Sequence, residues 1–281
     1  MVHENTQADV VKAFCEQQGD KILLLAVEAL GAVGPDAWLA ALAYGASAVW
    51  LLANGILNHT RSNLQAQMQW VRAILAALGY NPQAVRWVHV DQGNIEWLAQ
   101  PGIPSAAFWP LADKREVLRL ALFHLTCHAS FKPAEIPLPE GSPLGAIEVD
   151  SGSCTLCMAC AYVCPVKALR VEGDKPQLKF VEINCVQCGL CKHACPEKAI
   201  RLKPRFLTDW DELRQARILH EEVPFNCLGC GRPFATAKMI GVILARMSTH
   251  SMFAFEHQRR RLMLCEECRI RDITMAEDNG D

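Results

Sequence analysis

The sequence carries almost no net charge: 28 Lys and Arg residues stand against 30 Asp and Glu, a formal −2 over 281 residues. That balance removes the electrostatic argument for a nucleic-acid partner or an anionic membrane surface. The start, MVHENTQADVVKAFCEQQGD, has neither the basic n-region nor the apolar h-region of a secretory leader, and it has no twin-arginine pair. A dinucleotide fingerprint is also missing, because GAVGPD at 31–36 lacks the third glycine and Pro35 spoils a phosphate-cradling turn. No catalytic nucleophile is evident. One charge-free run, 37–58, approaches the length of a bilayer span. Gly45-Ala46-Ser47 splits it into helix-like DAWLAALAY and strand-like AVWLLAN, and Asn54-Gly55 reads as a turn, so a buried helix–loop–strand is expected in place of a membrane span.

Cysteine is what the chain does have. Ten of its fourteen cysteines fall in Cys-x2-Cys or Cys-x2-Cys-x2-Cys groupings and two more, Cys164 and Cys195, each follow a triplet after three residues, a usage that favours metal ligation over disulfides and points to a reducing, cytoplasmic setting. CTLCMACAYVCP at 154–165 and CVQCGLCKHACP at 185–196 share one spacing, with every cysteine displaced by 31 positions, and KALRV at 167–171 repeats as KAIRL at 198–202. Three closely spaced thiolates suit one face of a [4Fe–4S] cube, and the fourth, before proline, is carried away to the other cluster. The expected sets are therefore Cys154, Cys157, Cys160 and Cys195 for the first cluster, and Cys185, Cys188, Cys191 and Cys164 for the second. Small residues beside the sulfurs, Ala159 and Gly189, would let backbone amides approach. Eight cysteines could also serve two zinc ions, but zinc pairs are normally separated and lack a trailing Cys-Pro. His193 is expected to face solvent.

A last group, NCLGCGRPF at 226–234 and LCEECR at 264–269, offers two Cys-x2-Cys pairs: Cys227 and Cys230, then Cys265 and Cys268. Four thiolates from two pairs suit tetrahedral zinc, with a third iron–sulfur cluster or bare thiols as the alternatives. Between the pairs TAKMIGVILARM reads as a helix whose Met239, Val242, Ile243 and Met247 form a small core. Arg259, Arg260, Arg261, Arg269 and Arg271 flank the second pair without interleaved aromatics, which favours a solvated face or a docking patch over nucleic-acid reading. Cys15 and Cys127 are isolated and read as structural.

Along residues 21–128 short apolar runs alternate with amphipathic helix-length segments, an α/β pattern. KILLLAV, AVWLLAN and VRWVHV are strand candidates, and helices are expected at 35–44, 61–78 and after Asp113, whose pairing with Glu116 resembles a cap. The fold class is thus an α/β domain at 1–130 (a small open sheet with covering helices), a proline-rich linker at 131–145, an α+β two-cluster unit at 146–203, and a zinc-ribbon-like module at 222–273.

Residues 146–203 resemble the bacterial-type two-cluster ferredoxins, which implies single-electron transfer to or from a partner oxidoreductase. The whole chain resembles the ferredoxin-type proteins that accompany bacterial formate dehydrogenases and related oxidoreductases, so the implied redox partner is a formate dehydrogenase or a related oxidoreductase. Residues 21–95 are similar to the delta subunit of methyl-viologen-reducing hydrogenase, through LAALAYGASAVWLLAN and GYNPQAVRWVHVD. That family's cluster cysteines are absent here, where Ala29 and Leu30 follow the first strand and Asn54 the second. The resulting reading is a carrier or electron-transfer subunit more than an enzyme. Two others stay open: an oxidoreductase subunit with a flavin or substrate site in the N-terminal domain, and an assembly factor with redox-silent clusters.

Overall fold

The computed structural model describes residues 2–4, 22–52, 58–88, 103–109, 113–171 and 175–278. Cys15 and the Asn54-Gly55 turn lie outside them. The chain divides into two compact units, one of residues 1–144 with 204–212 and one of 145–203 with 213–281.

In the first unit, strands β1 (Val2–Glu4), β2 (Leu25–Val27), β3 (Val49–Leu52) and β4 (Val85–Val88) form a parallel sheet of order β2-β1-β3-β4. The sequence reading began the alternating pattern at residue 21 and missed β1, because three residues are too few to show a period. Helices α1 (Pro35–Ala43), α2 (Asn58–Ala77) and α3 (Lys114–Cys127) supply the apolar cover. The helical spacing seen in the sequence is realised: Leu64, Met68, Val71, Leu75 and Leu78 are all buried. Gly79 at φ +85 then ends the helix as a left-handed residue, where a Cβ would stand 2.7 Å from the Phe131 ring. Asp113 caps α3 by accepting from the amides of Arg115 and Glu116, and the helix packs Leu118, Leu122 and Leu125 against α1. The proline-rich stretch is more ordered than a linker, since β5 (Glu135–Pro137) is a sheet strand.

The second unit contains β6 (Gly145–Val149), α4 (Ala159–Tyr162), β7 (Leu169–Val171), β8 (Gln177–Val181), α5 (Leu190–Ala194) and β9 (Ile200–Leu207). The far end of β9 belongs with the first unit, where Arg205 to Leu207 pair antiparallel with β5. After α6 (Trp210–Arg214) comes β10 (Ala216–Glu221), which pairs antiparallel with β8 and completes the order β10-β8-β7. The sequence reading assigned no element between 203 and 222. The inward side of β10 nevertheless carries Arg217, which pairs with the buried Glu182 at 2.6 Å and lies over the Phe180 ring. The chain ends with the hairpin β11 (Pro224–Asn226) and β12 (Pro233–Thr236), then α7 (Ala237–Met247), α8 (Glu256–Arg261) and α9 (Glu266–Asp278).

Candidate metal centres

The 31-residue repeat extends from the cysteines into the backbone. Leu156 and Gln187 both lie at φ 54, Met158 and Gly189 at φ 63 and 77, and Lys167 and Lys198 at φ 51 and 52. Left-handed turns let backbone amides face inward, and consecutive inward amides form a concavity for negative charge. The sulfurs receive them in matched pairs. Leu156 N–H donates to Cys154 Sγ and Gln187 N–H to Cys185 Sγ, both at 3.5 Å. Ala168 N–H donates to Cys164 Sγ and Ala199 N–H to Cys195 Sγ, both at 3.3 Å. The last pair explains the proline: Pro165 and Pro196 start the turns that deliver these donors. Here the glycine that suits a left-handed turn is present in only one copy, Gly189, and Met158 takes the same conformation in the other.

Two cavities result. One is lined by Cys154, Cys157, Cys160 and Cys195, with Val149, Leu178 and Ile200 as apolar walls. The other is lined by Cys164, Cys185, Cys188 and Cys191, with Ile147, Phe180 and Leu202. Each therefore gathers three cysteines of one motif and the fourth of the other. Burial pushes the Cys160 thiol up to about 12 and the Cys191 thiol up to about 11, and it raises Cys154 and Cys185 too. Thiols so placed stay protonated unless a cationic centre compensates their charge. A four-iron cluster suits this donor set, because it binds one thiolate at each iron and tolerates apolar walls. His193 is exposed, as its position on α5 suggests.

The C-terminal cysteines are arranged differently. The sulfurs of Cys227, Cys230, Cys265 and Cys268 all lie within 4.8 Å of one another, with Cys230 and Cys265 3.7 Å apart. Cys227 and Cys230 bracket a tight turn closed by Gly231 N–H to Cys227 O, whereas Cys265 and Cys268 stand at the start of α9. Burial works to raise the Cys227 thiol, but amide donation from Cys265 and Gly229 outweighs it and brings the group down to about 6. Cys268 is pushed up to about 12, first by its contact with Cys265 and then by burial. One shared cation would hold all four as thiolates. The small core here is Cys227, Leu264 and Cys265 with Phe234, in place of the expected Met239, Val242, Ile243 and Met247, which are half-buried on α7.

The flanking arginines act locally. Arg259 donates to the carbonyls of Phe253 and Ala254, Arg261 pairs with Asp272 at 2.7 Å, and Arg269 donates to the carbonyls of Arg261 and Leu264. Arg232 meets both Glu267 and the Cys230 sulfur. Cys127 sits exposed at the end of α3, away from any metal group among the described residues. Residues that sequence reasoning missed are Gln187, whose amide donates to Cys185 Sγ, and Thr236 and Lys238, which reach the first cysteine loop. Only Gln187, adjacent to its cysteine, left a local signal.

With this geometry in view, residues 153–199 match the 4Fe-4S dicluster domain family. The chain thus contains a ferredoxin-type iron–sulfur segment, which supports an electron-transfer role in general terms. No curated protein sequence matches the chain. Among the described residues no helix is long and apolar enough to cross a membrane.

Proposed function

We propose that the protein passes single electrons to or from a partner oxidoreductase through two [4Fe–4S] clusters. Cys154, Cys157, Cys160 and Cys195 hold the first, and Cys185, Cys188, Cys191 and Cys164 the second. The observation that carries this reading is the pair of repeated cavities, each closed by a cysteine from the other motif. A bound cluster supplies one-electron storage within a low-potential range. The chain's own residues hold the thiolates, aim amides at sulfur and exclude water with apolar walls. The partner, following the sequence resemblance, is a formate dehydrogenase or a related enzyme, and the setting is the cytoplasm.

At Cys227, Cys230, Cys265 and Cys268 the reading is one structural zinc ion. Zinc 2.3 Å from four sulfurs sets tetrahedral edges of about 3.8 Å, close to the 3.7 Å between Cys230 and Cys265. A four-iron cluster would spread its ligands farther, because each thiolate caps a different iron. The discriminating experiment is reversible dithionite reduction of anaerobically purified protein, followed by electron paramagnetic resonance. Two interacting cluster signals support the reading; redox-silent clusters would favour an assembly role, and a flavin spectrum an oxidoreductase subunit.

A further inference from the structure

The repeat is broken around the first cavity. Glu197 lines that cavity, while Val166, its counterpart 31 positions earlier, lines the second. Leu156 stands at the first where Gln187 stands at the second, and the Gln187 side chain donates to Cys185 Sγ at 3.4 Å. A further asymmetry comes from outside the repeat. Thr236, 2% exposed at the end of β12, accepts the amide of Met239 and donates its hydroxyl to the Thr155 carbonyl at 3.1 Å. Thr155 follows Cys154 directly. Lys238, in the first turn of α7, donates its ammonium to the Ser151 carbonyl at 2.6 Å. Farther along the helix Arg246 grips both Glu197 oxygens at 2.9 and 2.8 Å, which offsets the carboxylate at the cavity wall.

We propose that Lys238 selectively raises the reduction potential of the cluster held by Cys154, Cys157, Cys160 and Cys195, so that the four-cysteine module tunes one of two otherwise repeated centres. This rests on the two-cluster reading. Reduction adds negative charge to the cluster, and a nearby cation favours that form. The Lys238 ammonium is held at the Ser151 carbonyl, three residues before Cys154, while the Thr236 hydroxyl holds the carbonyl of Thr155 on the other side of that cysteine. Asp150 and Arg201 share this side: the Asp150 carboxyl is lowered first by Ser153 and the Gly152 amide, with smaller contributions from Lys238 and Arg201. The hairpin that places Thr236 and Lys238 is the one whose turn carries Cys227 and Cys230, so the ion site fixes the position of the charge.

The test is a potentiometric titration of the full-length, anaerobically purified protein, read by electron paramagnetic resonance, for wild type, Lys238→Gln and Lys238→Arg. Iron content is matched beforehand, and Lys238→Met stands in if the glutamine variant does not accumulate. Gln187→Leu, which removes the amide donation to Cys185, marks the signal of the other cluster. At a fixed potential, Lys238→Gln should lower the reduced-to-oxidised ratio of the unmarked cluster about tenfold, equivalent to about 59 mV for one electron, while Lys238→Arg stays near wild type. An unmoved ratio, or an equal shift of both clusters, overturns the inference. A wild-type protein with a single cluster signal defeats the two-cluster reading, and the inference with it.

Discussion

Cys164 and Cys195 are the residues on which the reading turns, because each lies in one motif and lines the cavity of the other. Cys164→Ser should therefore remove or alter the signal of the cluster at Cys185, Cys188 and Cys191. Magnetic-resonance spectra in which only the other cluster changed would contradict the crossed assignment. In the C-terminal four-cysteine group the corresponding residue is Gly229, whose amide donates to Cys227 Sγ at 3.3 Å. A Cβ at this position would stand 3.1 Å from Cys268 Sγ and 3.3 Å from Leu264 Cδ2, so the sulfurs must give way. Gly229→Ala should weaken ion retention about tenfold or more against a competing chelator, the scale seen when residues around metal ligands are changed. An unchanged competition curve would show that the knuckle does not depend on this close approach. The cysteine groups that the structure brings together were legible in the sequence because cysteine spacing is a local pattern. Thr236 and Lys238 were not, since their partners lie 81 and 87 residues away and a threonine or lysine carries no spacing signal.

Among the elements, β10 is a strand for which the sequence reading assigned nothing. Its Arg217 sets the guanidinium against a Glu182 side chain that is only 2% exposed. Taking away one partner of a buried ion pair costs about 3–5 kcal/mol; Arg217 keeps about a quarter of its surface in water, so Arg217→Ala should cost nearer 2 kcal/mol. The urea midpoint of the far-ultraviolet signal should drop accordingly, and the double variant Arg217→Met with Glu182→Gln should recover most of the loss. A single variant as stable as wild type would mean that β10 is held by its backbone ladder alone. The long helices were readable with caps and periods intact, as α2 and α3 show. By contrast β1 and β5, each three residues long, pair with strands far away in sequence and leave no local period.

For the whole molecule, the two compact units do not follow the sequence order of motifs. Residues 204–212 join the N-terminal unit, and the four-cysteine module shares its unit with the ferredoxin-type segment. That second grouping gives the C-terminal module a place in the account, because its hairpin and α7 reach the loop of Cys154 within one unit. Under the proposed function, three cysteine groups hold two clusters and one single ion. Metal and sulfide analysis of the anaerobically purified, full-length protein tests it most directly: the expected content is about eight iron, about eight acid-labile sulfide and about one zinc per chain. About four iron would contradict the paired cavities, and about twelve iron without zinc would contradict the single-ion site.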